Sequence, residues 1–333
     1  MSQAPQIDRR PKRFPPPEFP PRRAALFAKT PPAVFPVVLG LLGLGLALRR
    51  GLAGTALAEP LEALNGGLLG LWLFAVLALL GKVLRRPGVV VQDLRVLPGR
   101  AGLAAATMSG MVAASLILPF VPGLAVGLAL VSLTLHAVLA GLLIATLLQM
   151  PPEAREVNPT WHLSFVGFIV GAVPLALAGW TGVAQAILMV TLVAAAVIWA
   201  VSLAQLIRRI PPAPLRPLLA IHLSPAALFA TVASLLGQPV LAQAFAAFGA
   251  VILLALVIFA RWITLAGFSA MWGALTFPLA AYASALIVTG GGFALPGLAV
   301  LVAATLLIPP IAWNVLKLWP GGRLAARTNA AEA

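Results

Sequence analysis

The sequence predicts an all-α polytopic membrane protein, with ten transmembrane helices paired into five hairpins. Three observations carry this: the composition, the spacing of the apolar runs, and the alternating character of their connections. Over 333 residues, 61% are hydrophobic and 9% charged, whereas soluble domains carry about 25% charged residues. From Ala33 onward the apolar runs recur at close to the ~20 residues that cross a hydrocarbon core as helix. The links between them alternate between short and uncharged and longer and charged.

The ten runs are 33–48, 64–82, 101–118, 122–148, 161–179, 182–206, 217–236, 239–259, 270–289 and 295–316. The links after the third, fifth, seventh and ninth runs (119–121, 180–181, 237–238 and 290–294) are short and carry no charge. The chain therefore divides into a tail at 1–32, a membrane domain at 33–318 and a second tail at 319–333. The first tail holds seven Lys/Arg and the stretch F-P-P-P-E-F-P-P at 14–21, which favours extended polyproline II and forbids helix. Two readings of it stand, a solvated segment against anionic headgroups and a docking site for a partner. No signal peptide is apparent before the first apolar run.

Orientation follows from the basic residues, because cytoplasmic loops carry the excess of Lys and Arg. Placing the N-terminus inside leaves only Arg49 and Arg50 of the 22 Lys/Arg on the outer side. Both termini are then cytoplasmic in an inner-membrane protein, as an even number of spans requires. The net charge of +14 reflects this topology, since the basic residues are scattered between apolar runs rather than gathered into a nucleic-acid-binding face.

The hairpins resemble copies of one unit. W-H-L-S-F at 161–165 matches I-H-L-S-P at 221–225, and V-F-P-V at 34–37 matches T-F-P-L at 276–279. The first helix of each hairpin thus carries helix-weakening residues: Phe35-Pro36, Ser164-Phe165 with Gly167, Ser224-Pro225 and Thr276-Phe277-Pro278, with a third-run equivalent near Ser109-Gly110. Proline inside a helix deletes a donor and clashes with the preceding turn. At membrane depth the freed groups are tolerated where neighbouring helices or a wet cavity satisfy them. Systematic placement on odd helices points to a lined pathway, with simple packing kinks as the bland alternative.

All eight acidic residues (Asp8, Glu18, Glu59, Glu62, Asp93, Glu153, Glu156 and Glu332) fall outside these runs, and no Lys or Arg sits mid-membrane. Intramembrane carboxylates mark proton relays and cation sites, so a carboxylate-dependent pump is disfavoured. An enzyme is disfavoured too, because general acid–base chemistry needs clustered titratable groups. The chain has no cysteine, which removes disulfides, thiolate metal sites and thiol catalysis together. His136 stands alone, as a helix-packing histidine. His162 and His222 occupy equivalent repeat positions, where a contribution to a positive pore mouth is an option, but nothing supplies further ligands for a metal. No cofactor is implied. The pathway offers hydroxyls and backbone without fixed negative charge, so the expected permeant species is an anion.

The residues also carry a family likeness. The opening T-P-P-A-V-F-P-V-V-L-G-L-L-G-L-G-L-A-L-R, the stretch W-H-L-S-F-V-G from Trp161, L-R-P-L-L-A-I-H-L-S-P from Leu215 and W-G-A-L-T-F-P-L-A from Trp272 resemble the TehA-like tellurite-resistance/dicarboxylate transporter family. That family includes the slow-type anion channels of plant guard cells. The resemblance implies a quasi-five-fold arrangement in which odd helices ring a central pore and even helices pack outside, with protomers assembled as homotrimers. It implies a phenylalanine gate on the ninth helix, which falls on Phe277; Phe35 holds the corresponding place in the first hairpin, without the gate role. The third run departs from the pattern, since A-T-M-S-G-M stands where a proline is expected. The inner ring is therefore expected to be less regular there, with Met108 or Met111 available to protrude into the lumen.

The function expected from these readings is an anion channel closed by Phe277. The alternative is a secondary carrier for C4-dicarboxylates or oxyanions such as tellurite, because bacterial members of the family bear those labels. A third reading, a membrane scaffold that works through the proline-rich tail, would make residues 1–29 essential. The partners expected are small inorganic or carboxylate anions, the lipid bilayer and further copies of the chain, with no nucleic acid.

Overall fold

The structure, a computed structural model, describes residues 25–333; the basic proline-rich segment at 1–24 lies outside the described residues. Among the described residues the chain is helical throughout, with no strand. In order the helices are α1 (Phe35–Gly51), α2 (Ala58–Arg85), α3 (Val89–Arg95), α4 (Leu97–Ile117), α5 (Pro122–Leu148), α6 (Phe168–Leu177), α7 (Thr181–Arg208), α8 (Leu223–Leu235), α9 (Pro239–Ile258), α10 (Ala260–Ile263), α11 (Thr276–Thr289), α12 (Ala294–Leu316) and α13 (Arg323–Arg327). With their leading irregular turns, nine of these segments are long and apolar enough to cross a membrane, and the shorter His162–Leu177 makes a tenth. The five hairpins are α1/α2, α4/α5, α6/α7, α8/α9 and α11/α12.

Burial separates the two members of each hairpin. Over an 18-residue apolar window of each span, 61–83% of residues are buried in the first, third, seventh and ninth spans, against 17–28% in the even spans. Nearly every residue of α6 is buried as well. The inner helices pack in a closed ring, α1 on α4, α4 on α6, α6 on α8, α8 on α11 and α11 back on α1. The even helices turn large apolar side chains outward, such as Phe74, Leu77, Leu135, Val193, Val251 and Leu306. Contiguous apolar surface of that extent is stable only against lipid.

The weakened points singled out in the sequence are starts rather than mid-helix kinks, whereas Pro174 lies inside α6. A 3-10 turn at Pro32–Val34 leads into α1, a π-helical turn at His162–Val166 into α6, a 3-10 segment at Ala213–His222 into α8 and another at Ala270–Leu275 into α11. Pro36, Pro225 and Pro278 therefore fall in the first α-turn of their helices, where an N–H has no intrahelical partner and its loss costs nothing. The third span corrects the expected irregularity. It is one unbroken α-helix, and its proline is Pro98 at the helix start. The A-T-M-S-G-M stretch contains no proline, so nothing interrupts the hydrogen-bond ladder there.

Both described ends of the chain lie on one side of the ring. The Ala333 amide donates to the Ala28 carbonyl at 3.1 Å, and Lys29 pairs with Glu332 at 3.2 Å. Beneath them Lys82 and Asp93, 0% and 1% exposed, form an ion pair at 2.8 Å, and the second Asp93 oxygen accepts from the Ala331 amide at 2.8 Å. We call this the termini side and the opposite one the far side.

Candidate permeation pathway

Each inner helix presents to the axis one stripe with the three-and-four spacing of a helical face. On α1 and its leading turn the stripe is Ala33, Pro36, Leu39, Gly43, Leu46 and Arg50; on α4 it is Pro98, Ala101, Ala105, Val112 and Ser115. Leu163, Val170 and Val173 supply the fifth span; Leu218, Ile221, Ser224, Leu228 and Thr231 supply the seventh. On the ninth span the stripe runs Ala270, Ala274, Phe277, Ala281 and Ser284.

These stripes enclose two cavities on the ring axis. The one toward the termini side is small, about 30 Å³, and is walled almost wholly by apolar side chains, with Ser224 as its hydroxyl. The one toward the far side is of similar size, about 30 Å³, and is lined by Arg50, Ser115, Thr231 and Ser284 among apolar groups. Phe277 is the one residue, among the described residues, that lines both. Its ring is 5% exposed. Beyond the second cavity a vestibule of about 480 Å³, sharing Leu46, Arg50 and Ser115 with it, opens at the far side.

The ring of Phe277 is seated by α1. A Cβ added to Gly43 would lie 3.0 Å from the ring, and one added to Gly40 would overlap the Thr276 hydroxyl. Small residues on one face of α1 thus let the backbone of α11 approach closely. The Thr276 hydroxyl lies 2.8 Å from the Gly273 carbonyl and 3.1 Å from that of Pro36, and donates to them. That bond ties the start of α11 to the start of α1 immediately before the aromatic residue.

Arg50 is the charge that sequence reasoning placed in an outer loop. In the structure α1 continues to Gly51, because the apolar run and good helix formers persist through Leu48-Arg49-Arg50. Arg49 turns to Glu62, which takes its Nε at 2.7 Å and its Nη2 as well, and to the Leu116 carbonyl at 2.8 Å. Arg50 has no carboxylate among the described residues. Its Nη1 donates to Ser284 Oγ at 2.5 Å, which leaves the other guanidinium N–H groups uncommitted. No Asp or Glu lines either cavity or the vestibule. The signal that could have found Arg50 is the α1 stripe itself, since 36, 39, 43, 46 extends to 50.

The other residues singled out in the sequence divide. Pro36, Ser224 and Pro278 line the inner cavity. Phe35 is wholly buried in the wall. Ser109 accepts from Trp72 Nε1 at 3.0 Å, and Gly110 abuts Ser132, so this pair faces the outer ring. Phe165 packs at a tilt against Trp161 with centroids 5.2 Å apart. Gly167 abuts His136, whose Nδ1 is 2.7 Å from the Thr107 hydroxyl. Ser164 is buried without lining either cavity, and Pro225 lines a small void shared with Met108 and His162. His162 and His222 face each other, Nε2 to Nδ1 at 3.0 Å, and neither lines the axial cavities. Met108 and Met111 do not protrude: they are 1% and 0% exposed in the wall, although Met108 keeps the spacing of the α4 stripe and borders the small void beside Pro225. Among the described residues no cluster of His, Asp or Glu has the geometry to hold a metal.

A ring of five inner helices around two axial cavities that no carboxylate lines defines a polytopic membrane protein of the helical-hairpin class. The chain matches the voltage-dependent anion channel family over residues 29–317 and belongs to it. No curated protein matches the chain. Membership makes it an integral membrane protein of an anion-transporting family, as the sequence motifs led one to expect.

Proposed function

We propose that the protein is an anion channel in which Phe277 is the closed gate and Arg50 supplies anion preference. The observation that carries this is the single side chain standing between two axial cavities, one apolar and one carrying a guanidinium without a carboxylate. An aromatic constriction between apolar walls excludes water and so blocks ions. Arg50 and the hydroxyls of Ser115, Thr231 and Ser284 offer the hydration substitutes an anion needs.

The test is Phe277→Ala in planar bilayers. Removing even ~1.4 kcal/mol of dewetting barrier raises flux about tenfold, so the variant should pass an ohmic anion current where wild type passes little. Absence of current from variant protein that elutes and melts as a folded species refutes the gate. Two cavities flanking one occluding group also suit a carrier for C4-dicarboxylates or oxyanions such as tellurite. Saturable counter-transport in proteoliposomes, without ohmic current from Phe277→Ala, supports that reading instead.

Residues 33–318 form the conducting unit in this reading, with residues 1–32 and 319–333 cytoplasmic tails in the inner membrane. The positive-inside distribution of Lys and Arg supports that sidedness. Homotrimer assembly through the apolar outer helices follows from the family likeness and is checked by native mass spectrometry.

A further inference from the structure

A second chemistry-bearing cavity lies off the axis on the termini side. It is an open cleft of about 430 Å³ bounded by the first turn of α4, the 153–159 link, the end of α7 and the segment leading into α8. It shares only Leu218 with the inner axial cavity. Its polar wall brings Arg100, Arg208, Arg209, Ser202, Gln205, Asn158 and His222 together with Glu153 and Glu156.

Arg100 is the unexplained member of this set. It is 5% exposed, yet its only side-chain bond among the described residues runs from Nη2 to the Arg95 carbonyl at 3.3 Å, and its Nε has no partner. A buried cation without a counter-ion is strongly unfavourable. Ser202 Oγ is also buried without a partner, although Ser234 and Thr191 elsewhere bond the carbonyl one turn back. The carboxylates do not compensate: Glu156 stands 4.0 Å from Arg209 at the exposed rim, and Glu153 is exposed beside it. Leu97, Leu206, Leu215 and Leu219 give the cleft an apolar floor.

We propose that this cleft binds an oxyanion of the phosphate class, with Arg100 as the buried counter-charge, Ser202 as a hydroxyl donor and Arg208 at the rim. Phosphate accepts several charge-assisted hydrogen bonds at once, which satisfies the orphaned groups together. The site lies one helix wall from the pore, because Leu97 and Arg100 face the cleft while Pro98 and Ala101 of the same turn line the inner axial cavity. It is independent of whether the axis works as a channel or a carrier.

The test is thermal unfolding of the purified full chain in neutral detergent. Inorganic phosphate, phosphatidylglycerol and phosphatidylcholine are titrated separately into wild type, Arg50→Gln, Arg100→Gln and Arg208→Gln. A saturable rise in Tm is expected in wild type and in Arg50→Gln. It should be lost in Arg100→Gln and weakened about tenfold in apparent affinity in Arg208→Gln, where one charge-assisted contact is removed. A response to inorganic phosphate assigns a soluble ligand; a response to phosphatidylglycerol but neither phosphate nor phosphatidylcholine assigns a lipid headgroup, and both support the site. No rise with any probe, a rise undiminished in Arg100→Gln, or a rise abolished by Arg50→Gln but kept in Arg100→Gln overturns it. Should Arg100→Gln fail to fold, unchanged affinity in Arg208→Gln overturns it equally.

Discussion

Replacing Arg50 with Gln removes one positive charge from the wall of the outer cavity and leaves a shorter polar side chain. A permeating anion passing ~4 Å from the guanidinium gains about 1 kcal/mol if bulk water screens the pair and about 4 kcal/mol at the effective dielectric typical near a protein surface. Arg50 is half-buried and borders an open vestibule, so about 1–2 kcal/mol is the appropriate range. A cation at the same point loses what the anion gains, which doubles the discrimination to ~2–4 kcal/mol, or roughly 30- to 1000-fold in permeability ratio. Arg49 cannot replace it, because Glu62 already neutralises that charge. The assay is the reversal potential under a tenfold salt gradient, measured in the Phe277→Ala background so that the axis conducts. With Arg50 present the reversal potential should approach the anion limit of about 59 mV in magnitude. Arg50→Gln should bring it most of the way to zero, and Arg50→Glu should carry it past zero. Arg50→Lys and Ser284→Ala, which keep the charge, should leave it in place. An Arg50→Gln channel as anion-selective as its parent refutes the assignment of selectivity to this residue.

Three further outcomes follow from the packing. Lys82→Ala strands the Asp93 carboxylate in a wholly buried site and should destabilise the protein by about 3–5 kcal/mol, read as a fall in Tm; simultaneous replacement of both residues by Leu should recover much of it. Gly40→Val drives a branched side chain into the Thr276 hydroxyl and toward the Phe277 amide. It should cost about 1–3 kcal/mol and leave vesicles leaky to anions as the start of α11 is displaced. Tyr282→Phe removes the buried bond from the hydroxyl to the Ala246 carbonyl at 2.7 Å and should cost about 0.5–1.5 kcal/mol without changing conductance.

The hairpin architecture was legible because hydropathy and link length report directly on what lipid and water each tolerate. The even spans needed no tertiary information at all, since their outward faces meet only lipid. The inner spans were legible as spans but not as surfaces. Ser109 and Gly110 were read toward the axis because small and hydroxyl residues suit a wet lumen. The same residues suit close helix packing equally well, and Trp72 and Ser132 claim them. Arg50 was hidden by a boundary error of a few residues. A charged pair at the end of an apolar run looks like a loop, although helix geometry carries it on. Arg100 and the Lys82–Asp93 pair were illegible for another reason, because burial of a charge depends on what the rest of the chain folds over it.

The dipeptide Phe-Pro occurs at the start of two inner helices, yet only one of the two aromatics reaches the axis. The prolines behave alike, since Pro36 and Pro278 both line the inner cavity. Above them the stripes diverge. On α1 the axis is lined by 39, 43, 46 and 50, counting from Pro36, whereas on α11 it is lined by 281 and 284, counting from Phe277. In register with α1, the α11 stripe would have passed through Ala285, which is buried in the wall instead. One residue of offset rotates a helical face by about 100°, enough to swing an aromatic ring from wall to lumen. The approaches to the two helices differ in a way that supplies part of such a rotation, about 60°. α1 follows a 3-10 turn of three residues, α11 a 3-10 segment of six, and 3-10 winding completes a turn in about three residues rather than 3.6. The longer tight segment thus accumulates more rotation before the α-helix begins. Gly43 then gives the Phe277 ring its seat on α1, and Gly40 leaves room for the Thr276 hydroxyl beside it.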